Sequence, residues 1–268
     1  MTHYICATCG TQFPDSPEPP AHCPICEDER QYIGWAGQRW TTLEQLRADH
    51  RNTIKTEEPG LTGIGSEPGF AIAQRALLVQ SSGGNVLWDC ISLIDEATVE
   101  AVQTLGGIKA IAISHPHFYS SMVEWSRAFN APIYLHTANR EWVMRPDPAI
   151  VYWEGEAYSL GEGLTLIRCG GHFEGSTALH WAAGADGRGA LLTGDTLFVV
   201  SDRRYVTFMR SFPNYIPLNA TAVQRILAAI APFPYERIYS AWFDRTVAAN
   251  AQAGVAYSAE RYLRAIAE

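Results

Sequence analysis

The sequence contains no run of eighteen apolar residues, so it offers no candidate for a membrane-spanning helix. Six cysteines among 268 residues are too few for a scaffold held together by disulfides. The chain opens with Met1-Thr2-His3-Tyr4, which lacks the charged and apolar segments of a secretory signal. These absences predict a protein of the reducing cytoplasm that has no membrane partner.

Positive charge is also scarce. Lysine and arginine together number 20 against 28 aspartates and glutamates, which gives a formal net charge of −8. Within residues 1–30, several carboxylates stand against Arg30 as the only lysine or arginine. Because a nucleic-acid surface needs an excess of basic side chains, we expect no nucleic-acid partner.

Apolar residues are plentiful by comparison. At 47% hydrophobic and 18% charged, the chain can bury a large core, and its length allows one substantial domain and a small satellite. The segment Glu57-Glu58-Pro59-Gly60 is the predicted boundary. We therefore expect a small domain with a linker helix at residues 1–57 and a larger domain at residues 58–268.

The small domain carries a metal-binding pattern of two cysteine pairs. Its four members are Cys6, Cys9, Cys23 and Cys26. This spacing brings four thiolates into a tetrahedron and predicts a zinc ribbon, or a rubredoxin-like site if iron is bound. Gly10 suits the left-handed turn after the first pair, whereas Glu27 is less suited to the equivalent position. Two disulfides or four free thiols are the alternatives. The ribbon is expected to be structural, or to dock on the larger domain or another subunit.

The larger domain places candidate metal ligands directly after apolar, strand-like runs. They are His115 and His117 after one run, His172 after a second, and Asp195 after a third. Neutral imidazole is a leading ligand for zinc and for non-haem iron. Ligands at strand ends also converge where the edge of a sheet opens to solvent. The pattern therefore predicts a metal centre.

In order and spacing, the segments His115-Pro116-His117, Gly171-His172-Phe173 and Thr193-Gly194-Asp195 resemble the metal motifs of the metallo-β-lactamase superfamily. The resemblance extends from about residue 60 to the C terminus. It implies an α/β fold, a four-layer αβ/βα sandwich, here preceded by the small N-terminal zinc ribbon. It also implies a metal at one edge of that sandwich.

The chain departs from the family's two-metal pattern. Two-metal members continue the first motif as His-x-His-x-Asp-His and supply a final histidine near the C terminus. Here Tyr119 and Ser120 stand in the motif, and residues 241–243 read Ala-Trp-Phe where the final histidine is expected. The resemblance therefore implies a mononuclear centre. Its three histidines bind zinc, with iron as the alternative, and Asp195 is a fourth ligand or the hydrogen-bond partner of a metal-bound water.

Hydrophobic periodicity predicts the elements of the larger domain. Strand-like runs cover 71–80, 85–90, 108–114, 132–136, 164–169, 176–183, 189–193, 204–211 and 237–243. Helical patterns cover 95–105, 120–129, 138–144, 219–231 and 255–267. Capping boxes are predicted at Thr42-x-x-Gln45 and Ser121-x-x-Glu124.

The expected function is hydrolysis of a small ester, thioester, lactone or amide by metal-bound hydroxide. A single zinc ion lowers the pKa of water from about 15.7 to roughly 7. Asp195 is the candidate to orient that water or to take its proton. Tyr119 is the candidate proton donor to the leaving group, and the alternative is that its ring only fills space. The aromatic side chains expected to narrow the mouth of the site are Phe118, Tyr119, Phe173, Trp242 and Phe243.

Two alternatives belong to other functional classes. Two histidines and Asp195 make the facial triad of an iron dioxygenase, and sulfur-oxidising members of the superfamily use such a site. The other alternative is a catalytically silent module that retains one metal for structure. The partner is expected to be a small-molecule substrate, and the formation of a homo-oligomer is left open.

Overall fold

The computed structural model describes residues 1–267, which divide into two compact units. The first comprises Met1–Leu135 and Asn139–Tyr152, and the second comprises His136–Ala138 and the chain from Trp153 onward. No helix within residues 1–267 has the length and apolarity that crossing a bilayer demands.

The N-terminal part of the first unit contains three strands and two short helices. Their bounds are β1 Thr2–Cys6, β2 Gln12–Ser16, α1 Pro24–Glu27, β3 Trp40–Thr42 and α2 Leu43–Asp49. The strands form an antiparallel sheet in the order β2-β1-β3. The capping box predicted at the start of α2 is confirmed, because Thr42 and Gln45 each accept the other's backbone N–H.

A seven-stranded sheet forms the rest of the first unit. Its strands are β4 Arg51–Glu58, β5 Leu61–Glu67, β6 Arg75–Val79, β7 Val86–Trp88, β8 Ala110–Ala112, β9 Ile133–His136 and β10 Ile150–Trp153. They lie in reverse chain order, from β10 to β4. Strands β4 to β7 pair antiparallel, whereas β7, β8 and β9 are parallel. The helices are α3 Glu96–Thr104 and α4 Met122–Phe129, with 3-10 turns at Pro116–Phe118 and Thr137–Trp142.

The second unit is built on a six-stranded sheet. The strands of the whole unit are β11 Ala157–Gly161, β12 Leu164–Arg168, β13 Thr177–Trp181, β14 Ala190–Gly194, β15 Phe198–Val199, β16 Val206–Thr207, β17 Met209–Ser211, β18 Ile216–Pro217, β19 Arg237–Ser240 and β20 Thr246–Val247. The sheet order is β11-β12-β13-β14-β19-β20, while β15-β16 and β17-β18 form separate two-stranded pairs. The helices are α5 Gly184–Gly187, α6 Ala220–Ile230 and α7 Ala251–Ile266.

Helix α6 illustrates how this second unit is held together. Asn219 caps it by accepting the N–H of Ala222. Its apolar residues Val223, Ile226 and Ile230 recur every three to four positions, so they share one face, and all are buried in the core of the unit. Fully burying each such side chain contributes about 1.5–3 kcal/mol relative to exposure.

Most predicted elements overlap observed ones, and the differences have physical causes. The helix predicted at 138–144 is a 3-10 turn, and the run 204–211 is split into β16 and β17. Strands β4 and β5 were missed because β4 is an exposed edge strand without apolar alternation and β5 is glycine-rich.

The capping box predicted at Ser121 is wrong. The side chain of Ser121 makes no capping hydrogen bond at the start of α4, and Glu124 pairs instead with the guanidinium of Arg145 at 2.5 Å.

Residues 51–57, assigned from the sequence to the small domain, belong to β4 and pair with β5 in the seven-stranded sheet. The predicted boundary after residue 57 therefore falls within this strand.

Candidate metal centres

The four cysteines predicted to bind a metal are brought together in the first unit. We call Cys6, Cys9, Cys23 and Cys26 the cysteine site. All four are buried, and their sulfur atoms lie within 4.8 Å of one another. The Sγ atoms of Cys6 and Cys26 are 3.5 Å apart, and those of Cys9 and Cys23 are 3.7 Å apart. A tetrahedron with metal–sulfur bonds of about 2.3 Å has edges of about 3.8 Å, so the arrangement fits a zinc or iron ion.

Backbone geometry explains the two halves of the cysteine site. Gly10 has a φ of 80°, as predicted, and its N–H donates to the carbonyl of Cys6 at 2.8 Å. Glu27 needs no left-handed turn, because the second pair opens the short helix α1 and the N–H of Glu27 donates to Cys23. The side-chain amide of Gln38 approaches the sulfur of Cys6 at 3.1 Å, and hydrogen bonds from the other thiols lower the pKa of Cys6.

Residues 113–120 follow β8 and carry His115 and His117, and we call them the histidine loop. Hydrogen bonds fix this loop at its start. The N–H of Ser114 donates to the carboxylate of Asp89 at 2.7 Å, and the hydroxyl of Ser114 lies 3.0 Å from Nδ1 of His115. Burial raises the pKa of Asp89 to about 7, and the hydrogen bonds from Ser114 oppose that shift. His115 and His117 are both buried, and their ring centroids are 5.2 Å apart. Asp89 therefore supports the loop, a role that its sequence context did not signal.

His172 and Asp195 follow strands of the second unit. The turn after His172 is closed by Ser176, whose hydroxyl accepts the N–H of Phe173 at 2.8 Å. Asp195 follows β14 directly, and the preceding carbonyl of Gly194 accepts the hydroxyl of Ser240 at 2.8 Å. Both candidate ligands are buried, and the backbone that carries them is held by hydrogen bonds independent of their own side chains.

His115, His117, His172 and Asp195 each offer one ligand atom, and these atoms lie within 4.8 Å of one another. We call this group the histidine site. Three imidazoles and a carboxylate are a donor set that suits zinc, and iron also accepts it. Within residues 1–267, metal-ligand side chains gather in groups of three or more at the cysteine site and the histidine site.

Tyr119 is buried in the first unit, where it lines a small cavity with Thr11, Met144 and Arg145. Burial raises the pKa of its hydroxyl well above the ordinary value, and the nearby Asn139 opposes that shift. The phenol therefore keeps its proton at neutral pH, as a donor must. Its role as an acid stays a prediction.

The aromatic surroundings differ from those expected. Phe118 and Phe173 are 0% and 1% exposed, so they belong to the core and do not line an opening. In the second unit, Phe198 contacts Phe212 at 4.8 Å and Trp242 at 5.3 Å between ring centroids. Phe212 in turn lies 6.1 Å from the ring of His172. Sequence reasoning missed Phe198 and Phe212 because the short β15 and the turn after β17 carry no periodic signal.

Comparisons with known proteins agree with this architecture. The model of the metallo-beta-lactamase superfamily matches residues 71–242. An uncharacterised protein of Bacillus subtilis (strain 168), YmaE, is 50% identical over 268 residues, covering 99% of this chain and 97% of that protein.

Two solved structures are similar in fold. VMB-1 has a TM-score of 0.62 at 11% identity and covers 81% of this chain and 99% of its own. The metallo-beta-lactamase FIM-1 from Pseudomonas aeruginosa, in its mono-zinc form, has a TM-score of 0.56 at 16% identity, with coverages of 78% and 95%. The predicted α/β metallo-β-lactamase fold, with a four-cysteine cluster at its N terminus, is confirmed.

Proposed function

We propose, since this chain belongs to the metallo-β-lactamase superfamily, that it is a mononuclear metal-dependent hydrolase of a small ester, thioester, lactone or amide. The observation that carries the proposal is the grouping of three buried histidines with Asp195. At the second-metal positions of the family motif the chain has Tyr119 and Ser120, which supports a single metal.

In this proposal His115, His117 and His172 hold the metal. When bound, a zinc ion supplies a Lewis acid and lowers the pKa of a water molecule to roughly 7. The carboxylate of Asp195 would accept a hydrogen bond or a proton from water at this site, and Asp89 keeps the histidine loop in place through Ser114. The half-buried rings of Phe198 and Phe212 offer apolar contact to a substrate, which supports a small apolar acyl group.

The proposed setting follows from charge and thiol chemistry. None of the six cysteines forms a disulfide, which suits a reducing compartment such as the cytoplasm. The net charge of −8 supports a small-molecule substrate over a nucleic-acid or anionic membrane partner.

The experiment that tests the proposal is a hydrolysis screen with the purified full chain, using an ester, a thioester, a lactone and an amide of matched acyl group. We expect turnover of at least one class, lost on chelation and restored by zinc. Oxygen consumption with the iron-loaded protein and a thiol substrate would instead identify a dioxygenase. Binding of small anions without turnover of any class would identify a silent module and contradict the proposal.

Metal stoichiometry is the first prediction. Protein purified without added metal is expected to carry two transition-metal ions per chain, one at the cysteine site and one at the histidine site. Elemental analysis against protein concentration measures this ratio directly and also identifies the metals. Three tightly held ions would refute the mononuclear assignment.

The proton-donor role of Tyr119 is the second prediction. Tyr119→Phe removes the hydroxyl and keeps the ring, so we expect kcat to fall by about a hundredfold for substrates with poor leaving groups and little for good ones. The control is Tyr152→Phe, which changes a neighbouring, less buried tyrosine. Equal rates across the leaving-group series would show that Tyr119 only packs.

A further inference from the structure

Ser120 ends the loop that carries His115 and His117, and it has an unusual backbone conformation. Its φ is 46°, in the left-handed region that residues other than glycine adopt rarely. It follows His117 by three residues and is 3% exposed. Because the histidine positions depend on where this loop ends, the contacts that hold Ser120 bear on the histidine site.

Three hydrogen bonds hold Ser120, and one of them comes from residues 1–49, which carry the cysteine site and which we call the cysteine module. The side-chain amide of Gln74 donates to Oγ of Ser120 at 2.9 Å, and that hydroxyl donates to the carbonyl of Cys90 at 3.3 Å. The carbonyl of Ser120 accepts the backbone N–H of Gln12 at 3.0 Å. Gln12 opens β2, and only Gly10 and Thr11 separate it from the cysteine pair Cys6 and Cys9.

Two further contacts hold the cysteine module against the rest of the first unit. The hydroxyl of Ser92 donates to the carbonyl of Gly10 at 2.8 Å, and a Cβ on Gly10 would lie only 2.6 Å from that hydroxyl. The guanidinium of Arg145 contacts the side chain of Gln12 and also pairs with Glu124 of α4.

We propose that the cysteine module is a positioning element for the histidine loop. A metal at the cysteine site orders the turn from Cys6 to Gly10, which fixes the N–H of Gln12. That N–H holds Ser120 in its left-handed conformation and so presets His115 and His117 for their own metal. The two sites are thereby coupled, and filling either one raises the affinity of the other by the same factor.

Gln12→Pro tests the coupling because it removes the N–H donor and leaves all four cysteines. Titration with cobalt(II) separates the sites, since thiolate ligands give an intense charge-transfer band and imidazole ligands give only weak visible bands. We expect Gln12→Pro to keep the thiolate band and to weaken cobalt binding at the histidine site by about tenfold. Gln12→Ala, which loses the same side-chain contact with Arg145 but keeps the backbone N–H, is the matched control and should bind cobalt as the unmodified chain does.

A second measurement covers the case in which Gln12→Pro fails to form the cysteine module. In full-length His172→Ala, where the histidine site lacks a ligand, cobalt is added until the thiolate band saturates. Amide hydrogen exchange in residues 116–122 is expected to slow several-fold on that addition. Unchanged exchange there, or a histidine site in Gln12→Pro that binds cobalt as tightly as before, would overturn the proposal. Neither readout depends on hydrolysis, so failure of the proposed function leaves this test intact.

Discussion

Replacing His172 with alanine is expected to abolish tight metal binding at the histidine site and all metal-dependent turnover with it. His172 is 1% exposed and supplies one of the three imidazoles. The two remaining histidines come from a single loop and leave the coordination shell incomplete. Replacing a residue that only hydrogen-bonds to a metal ligand typically lowers metal affinity by about 10–100-fold. Removing a ligand itself should therefore lower the affinity by more than about a hundredfold.

Elemental analysis is the measurement, and the metal content should fall from two ions per chain to one. The ion that remains should be the one at the cysteine site, which a cobalt titration identifies by its thiolate band. His180→Ala is the matched control, because His180 is a buried histidine whose Nε2 lies 2.8 Å from the carbonyl of Pro234. It should keep both ions at some cost in stability. Two ions retained in His172→Ala would show that His172 is no ligand.

The candidate ligands of the histidine site could be picked out in the sequence because each follows an apolar, strand-like run. His115, His117, His172 and Asp195 were predicted in this way, and the structure gathers all four. The cysteine site was also predictable, because its four cysteines lie close together in the sequence and two Cys-x-x-Cys pairs have few explanations other than a metal site.

Features that depend on tertiary partners were not predictable. Glu124 left its expected capping role because Arg145, distant in sequence, offers it a charged partner. In the sequence Asp89 lies inside the strand-like run 85–90 and carries no functional signal, and only its burial beside Ser114 gives it a role. The contact between Gln12 and Ser120 is a backbone hydrogen bond, so no side-chain pattern records it.

Asp195→Asn is expected to leave the metal in place and to lower turnover by about a hundredfold or more, the usual scale for a positioned base. The amide matches the carboxylate in shape and still accepts a hydrogen bond from water, but it cannot take the proton. The backbone should not move, because the carbonyl of Gly194 is held by the hydroxyl of Ser240 and the N–H of Ala241. Steady-state kinetics on the best substrate, with elemental analysis of the same sample, separates the two effects.

Asp186→Asn is the control, because Asp186 is an exposed carboxylate that pairs with Arg237 at 3.1 Å. It should leave both kcat and metal content unchanged. If Asp195→Asn loses the ion at the histidine site, Asp195 is a fourth ligand and another group must accept the proton. If neither Asp195→Asn nor Tyr119→Phe changes any activity found, the hydrolytic assignment fails, because both side chains assigned to move the proton would then have no part in the reaction.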